Sequence, residues 1–231
     1  MPIFFPTTIT GKPAASGGPK VITYRTQDSQ TSTTTTYTFN NGGSGYAIGT
    51  ASSDRLVIVA VNLTISNRTV SSMTIGGVSA TNAVRSQRGL ACSEIWAAMV
   101  SSGTTANISI TCSGTNDRCG IIIWTATGMS TATAVGSGSN TSATSPHATS
   151  AFATSNGGFV VMTSCDNGGS ATYTESVSGG GTPAITEDYD GIFSGSPTMV
   201  GARTAATDGT NITVTITGGT NANGGMCAAS F

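Results

Sequence analysis

Leu56-Val57-Ile58-Val59-Ala60-Val61 offers no polar face, and Val160-Val161-Met162 starts a run of the same kind further along. A strand without a polar face is covered on both sides, whereas a half-exposed strand alternates. Setting Asn107-Ile108-Ser109-Ile110-Thr111 over Asn211-Ile212-Thr213-Val214-Thr215 gives an offset of 211 − 107 = 104. The same offset places Leu56-Val57-Ile58 over Val160-Val161-Met162, Gly76-Gly77 over Gly180-Gly181, Ala98 over Ala202 and Gly120 over Gly224. One unit has been used twice.

Around that run the chain reads as strands and turns. Thr33 to Phe39 alternates and ends at the turn residues Asn40-Asn41-Gly42-Gly43. Met73-Thr74-Ile75 runs into Gly76-Gly77. Ile95, Ala97 and Met99 share one face, Ile108, Ile110 and Cys112 alternate with hydroxyl residues, and Ile121 to Trp124 is again fully apolar. Helical spacing is nowhere sustained. The expected fold is all-β: a jelly-roll-type sandwich built from two repeated halves, 33–128 and 148–231, joined by a linker at 129–147. We expect the halves to pack as one sandwich, with two tandem sandwiches as the alternative.

Residues 1–32 read as an extended N-terminal docking arm. Pro2, Pro6, Pro13 and Pro19 interrupt regular ladders and Gly17-Gly18 adds freedom. Phe4, Phe5, Lys12, Lys20 and Arg25 are its candidate assembly residues. The arm either folds back on its own domain or docks on a neighbour, and the second is favoured.

Charged residues are 8% of the chain against about 25% in an average domain, so hydroxyls, amides and backbone must cover most of the surface. Net charge is −1, divided as +4 over residues 1–118 and −5 over 119–231. Neither half carries a dense Lys/Arg stripe, which argues against nucleic acid as a partner. No run approaches the ~18 apolar residues of a membrane helix. Met1 to Pro6 lacks a basic secretory n-region, so release by lysis is the expected way out of a cell. The five cysteines include no Cys-x-x-Cys pair and do not make a zinc site. Cys165 and Cys227 read as small buried hydrophobes, while Cys112 and Cys119 flank a hairpin turn and are either free or paired.

Catalysis has little support. His147 is the only histidine and follows Pro146 in the low-complexity linker, and no Gly-x-Ser-x-Gly or His-Glu-x-x-His motif is present. The one acidic cluster, Glu187-Asp188-Tyr189-Asp190, is expected as a solvated loop. Its alternatives are a Ca²⁺ site formed by Glu187, Asp188 and Asp190, the one cofactor considered, or a sugar site. Adjacent residues of a strand point to opposite faces, which works against convergence. Trp96 and Trp124 lie among Ile and Ala and are expected in the core.

The segments Arg55 to Val61, Met73 to Thr81, Ile95 to Val100, Ser102 to Ile110 and Cys119 to Ile123 together resemble a group of β-rich proteins encoded among the virion structural genes of tailed bacteriophages and related prophages. The second half, ending Cys227-Ala228-Ala229-Ser230-Phe231, looks like their usual C-terminal half. The resemblance covers about residues 33–231 and implies a non-enzymatic virion protein with no catalytic residues, displayed outside the particle as head decoration, head spike or tail-fibre component. By analogy it implies a homotrimer whose partners are itself and capsid or tail subunits. The alternative function is a lectin-like module that recognises host glycans; no membrane insertion is expected.

Overall fold

The computed structural model describes residues 19–64, 67–142, 144–167, 172–193, 197–218 and 224–231. These residues form antiparallel sheets, and the only helix among them is a single 3₁₀ turn, Asn41–Gly43. The all-β sandwich made from two repeated halves is therefore what the chain adopts. The halves do not share one pair of sheets. Each builds its own pair, as in the tandem alternative.

In the first half, a five-stranded sheet runs β1 (Val21–Gln30), β11 (Arg118–Thr127), β4 (Leu56–Thr64), β8 (Ala91–Met99), β7 (Thr81–Arg88). The facing sheet runs β2 (Thr34–Phe39), β10 (Ile108–Asn116), β5 (Val70–Ile75), β6 (Val78–Ser79). A short pair, β3 (Tyr46–Ala47) and β9 (Thr105–Ala106), lies beside them. Leaving out β3, β7 and β9, the order across one sheet is first, eighth, third, sixth and across the other second, seventh, fourth, fifth. That is jelly-roll connectivity. The second half repeats it with β12 (Gly136–Asn140), β19 (Gly224–Ser230), β14 (Val160–Asp166), β17 (Thr198–Thr204) and β16 (Ile185–Ile192) facing β13 (His147–Ala148), β18 (Ile212–Thr217) and β15 (Thr174–Gly179).

The two five-stranded sheets lie face to face, giving four layers. Val57, Val59, Val61, Ile121, Ile123 and Trp96 fill the first jelly roll. Val160, Met162, Val200, Val214 and Ala228 fill the second. Leu56, Ile58, Ile95, Ile122 and Trp124 pack with Phe159, Val161, Met199, Cys227 and Phe231 between the two. This middle layer explains why β4 is apolar on both faces: one face belongs to its own jelly roll and the other to the junction. Small residues let the sheets approach. A Cβ on Gly201 would stand 2.4 Å from Ile122 Cδ1, and one on Gly120 would stand 2.7 Å from Met199 Sδ. Asn62 Nδ2 donates to Thr163 Oγ1 (3.1 Å) and Ser93 Oγ to the Gly225 carbonyl (2.9 Å), so these two polar side chains buried in the junction are paired.

The contacts across the junction are closer on one side than on the other. The β7 and β8 side of the first jelly roll covers β19 and β12, with Ser86 Oγ donating to the Asn140 carbonyl (2.7 Å). The matching β16 and β17 side of the second covers β11, where Gly201 lies under Trp124 and Trp124 Nε1 donates to Asp188 Oδ2 (2.7 Å). The two sheets thus approach most closely along β7, β8 and β19.

The repeat offset holds in the outer sheets. Met73 faces Ile110, and Val177 faces Val214, each 104 residues on (73 + 104, 110 + 104). In β4 it is displaced by one. Leu56 faces the junction, whereas Val160 faces the second core. A one-residue slip turns every side chain to the other face, and a run apolar on both faces conceals it.

Two segments differ from expectation. Of the arm at 1–32, residues 1–18, with Phe4, Phe5 and Lys12, lie outside the described residues. Val21–Gln30 is a ten-residue edge strand paired with β11 from Val21↔Thr127 to Gln30↔Cys119. The prolines that argued against a ladder end at Pro19, and the β-branched and aromatic residues that follow suit a strand. The linker at 129–147 contains β12 and the start of β13. Its lack of apolar side chains reflects tight packing, since a Cβ on Gly138 would stand 2.7 Å from Thr149 Cβ and one on Gly136 2.4 Å from the Ala153 carbonyl oxygen.

The outer faces carry hydroxyls. Thr38, Ser109 and Thr74 lie abreast on β2, β10 and β5, with Thr36, Thr111 and Ser72 in the next outward-facing row. All five thiols are free and buried, Cys112 and Cys119 included. Gly76 (φ 58°) and Gly77 (φ 81°) form the two-residue β5–β6 turn, whose left-handed backbone favours glycine.

Candidate functional site

At one edge of the first jelly roll, β1, the Asn41–Gly43 turn and β3 enclose an open, polar cleft of about 400 Å³. A bulge in β1 creates it. Tyr24 pairs with Trp124 and Thr26 with Ile123, which leaves Arg25 as the extra residue, out of register with β11. Arg25 Nε donates to the buried Thr125 Oγ1 (2.6 Å). Among the described residues its two terminal nitrogens have no hydrogen-bond or ion-pair partner. Further along, Asp28 Oδ1 accepts from the Ser29 amide (2.7 Å) and Oδ2 from the Tyr46 hydroxyl. Burial and the Asp28 carboxylate both push the Tyr46 pKa up, so Tyr46 remains a donor at neutral pH. Asn41 completes the rim at φ 47°, its amide held by Ser44 Oγ and the Gly45 carbonyl, both at 3.3 Å. Gln27 also lines the cleft, with no hydrogen bond from its side chain among the described residues.

Behind the cleft lies Arg55, 1% exposed. Its guanidinium donates only to carbonyls: Val100, Gly49, Thr50, Ser102 and Gly103 at 2.7–2.9 Å, and Ile48 at 3.4 Å. Gly49 separates the two guanidiniums, because its carbonyl accepts from Arg55 and a Cβ there would stand 2.5 Å from Arg25 Nη2. Burial and the Arg25 charge lower the Arg55 pKa. Among the described residues the ion pairs are Arg85–Glu94 and Arg203–Asp188, and neither involves these two arginines.

The acidic cluster is not a loop but part of edge strand β16. A bulge between Glu187 and Tyr189 separates its carboxylates. Asp188 turns into the junction and takes hydrogen bonds from Trp124 and Arg203. Asp190 Oδ2 accepts from the Tyr173 amide (2.9 Å). Glu187 and Asp190 face Glu175 of β15. Burial first, then the Glu187 and Asp190 charges, push the Glu175 carboxyl up to about 7. Among the described residues no three His, Cys, Asp or Glu side chains are grouped to hold a metal ion. Glu187, Asp188 and Asp190 do not converge, so they do not form the Ca²⁺ site considered above.

The Glu175 geometry gives a pH prediction. Its folded pKa lies above the unfolded value of 4.5, so the folded state binds the extra proton and loses stability as pH rises from about 4.5 to about 7. Glu175→Gln removes that dependence. The variant should melt close to wild type at pH 4.5 and be more stable by about 1–2 kcal/mol at pH 8, after a discount for partial exposure. An equal difference in melting temperature at both pH values would refute the assignment.

The other candidates are distributed through the fold. Lys20 Nζ donates to Ser155 Oγ (2.9 Å) in the second jelly roll. Lys20 and Arg25 are thus engaged with their own chain, the fold-back alternative for the arm. His147, 6% exposed, pairs with Ile216 in β13; burial lowers its pKa, and Nδ1 has no hydrogen-bond partner among the described residues. Trp96 (6%) and Trp124 (0%) are core residues, as expected. Sequence reasoning missed the cleft because Asp28, Asn41 and Tyr46 look like ordinary turn and strand residues.

No family model matches the chain, and no curated protein sequence matches it. Among solved structures, an anti-sigma factor domain-containing protein is similar over 94% of this chain and 92% of its own, at 8% identity and a TM-score of 0.22. The N-terminal CBM22-1-CBM22-2 tandem domain of Paenibacillus barcinonensis Xyn10C is similar over 94% and 95%, at 6% identity and a TM-score of 0.21. Likeness at this level carries no argument about fold or function.

Proposed function

We propose that this chain is a non-enzymatic structural protein of a bacteriophage virion, displayed on the particle exterior as a head decoration, head spike or tail-fibre component. The observation that carries the reading is where the resemblance falls. Arg55 to Val61 is the start of β4, Met73 to Thr81 the β5–β6 hairpin, Ile95 to Val100 the end of β8, Ser102 to Ile110 the entry to β10, and Cys119 to Ile123 part of β11. These first-half segments fall on core strands and turns of one jelly roll, and the second half of the resemblance falls on the other; the architecture is shared by viral capsid proteins and lectins. A fold hosts many functions, so the sequence pattern rather than the architecture supports the choice. With Lys20 and Arg25 engaged internally, docking falls to residues 1–18, through Phe4, Phe5 and Lys12. The proposed assembly is a homotrimer bound to capsid or tail subunits.

Immunogold labelling and mass spectrometry of purified particles test this reading. The chain should be present on the outside, and its absence from particles would overturn the proposal. Deleting residues 1–18 should leave a folded protein whose incorporation falls by about tenfold or more, as expected when a principal anchor is removed; undiminished incorporation would remove the docking role. The polar cleft favours a second reading, a lectin-like module that recognises host surface glycans, and a tail location would make the two readings one.

A further inference from the structure

We propose that the cleft between β1 and β3 binds an acidic saccharide, with Arg25 taking the sugar carboxylate and Gln27, Asp28 and Asn41 taking ring hydroxyls. The inference rests on the lectin-like reading and supplies its site and ligand class. Three observations lead to it.

The first is size and lining. About 400 Å³ lies within the ~300–1,000 Å³ of small-ligand sites. The lining is mainly polar, with Tyr46 and Ala47 supplying an apolar part, which suits a ligand that combines hydroxyls with a ring face. The second is uncompensated positive charge. Arg25 and Arg55 lie on either side of Gly49 without a carboxylate partner for either. Arg55 is satisfied by backbone carbonyls and buried, but the fork of Arg25 presents its outer donors unused. A planar guanidinium with two free N–H groups matches a carboxylate in bidentate geometry. The third is complementarity along the cleft. Asp28 is held by the Ser29 amide and Tyr46, which fixes an acceptor for sugar hydroxyls away from Arg25. The Asn41 carboxamide is likewise pinned through its nitrogen, leaving its oxygen as an acceptor. A donor fork at one end and fixed acceptors at the other distinguish a carboxylate-bearing sugar from simple anions, which would use Arg25 alone.

The bulge makes the site specific to the first jelly roll. It re-aims Arg25 out of the β1 ladder, and the corresponding strand β12, Gly136–Asn140, has neither a bulge nor a charged residue.

The test is saturation-transfer NMR and isothermal titration of the full chain with N-acetylneuraminyl-lactose, an oligogalacturonate and lactose. The acidic probes should bind at least about tenfold more tightly than lactose, and the difference should shrink at high salt. Arg25→Met should lose about tenfold or more of that affinity, with Arg25→Lys recovering part of it. Gln27→Ala, a change at a side chain without internal hydrogen bonds, serves as a second variant if Arg25→Met melts early. Equal binding of lactose and the acidic probes would overturn the acidic-saccharide assignment while leaving a lectin. No binding of any probe would overturn both that assignment and the lectin-like reading, with the virion role untouched.

Discussion

Glu94→Ala should cost about 3–5 kcal/mol of folding stability, the loss expected when one partner of a buried charged network is removed. Glu94 is fully buried in β8, a strand whose other residues are apolar apart from its neighbour Ser93. Its Oε1 accepts from the Val70 amide (2.7 Å) and pairs with Arg85 Nε (2.9 Å). Its Oε2 accepts from Asn82 (3.0 Å), Arg85 Nη2 (3.1 Å) and Trp96 Nε1 (2.8 Å). The carboxylate therefore joins β5, β7 and β8 at one point, tying the two sheets of the first jelly roll together. Removing it leaves the Val70 and Trp96 N–H groups buried without an acceptor and the Arg85 charge without its counter-ion. Glu94→Gln keeps the shape but sets an amide NH₂ against existing donors, and should cost about 2–3 kcal/mol. Urea denaturation with linear extrapolation measures both. A loss below about 1 kcal/mol for the alanine variant would show that the network adds nothing beyond its desolvation cost.

Arg55→Met should produce a loss of similar size, about 3–5 kcal/mol, by leaving several buried carbonyls without donors. Met fills much of the space of the arginine stem, so packing changes little and the hydrogen bonds account for the effect. The six carbonyls come from residues 48–50, 100 and 102–103, so the guanidinium reinforces two connections that otherwise meet through the short β3–β9 pair and the Ile48–Thr104 hydrogen bond. Hydrogen exchange should therefore accelerate at the Ile48 amide, whose acceptor Thr104 follows the pinned turn. Lysine, with three donors and no fork, should recover less than half of the loss. Unchanged exchange at Ile48 together with unchanged stability would mean the connections hold themselves.

The all-β class, the duplication and the double coverage of β4 and β11 could be read from the sequence because they rest on apolar periodicity, which burial imposes directly. The face of each residue in β4 could not, since a strand apolar on both sides carries no phase. Strand β12 reads as a linker because Gly-Ser-Gly-Ser-Asn lacks the side chains that mark a strand; close packing excludes those side chains there. For the sites, Glu94 carried a usable signal: a lone carboxylate among Cys92, Ile95 and Trp96 must find donors in the interior. Arg55, just before an apolar run, carried the same kind of signal. The cleft carried none, because it depends on a bulge at Arg25 and on a turn that brings Asn41 and Tyr46 beside a strand roughly twenty residues earlier. Glu187, Asp188 and Asp190 were conspicuous only by proximity in sequence, and the pleat and bulge of β16 divide them between two surroundings.

The apolar junction also bears on the protein's history. Either jelly roll alone would expose a broad apolar face, Ile58, Ile95, Ile122 and Trp124 on one and Phe159, Val161, Met199 and Phe231 on the other. An ancestor encoding a single unit would have needed a second copy, or another partner, to cover that face. Fusing two such genes makes the pairing intramolecular and independent of protein concentration. It also releases the copies from identity, so that one could acquire a bulged, charged edge strand while the other kept a plain glycine-rich one. The chain is in that sense a dimer whose subunits have been free to specialise.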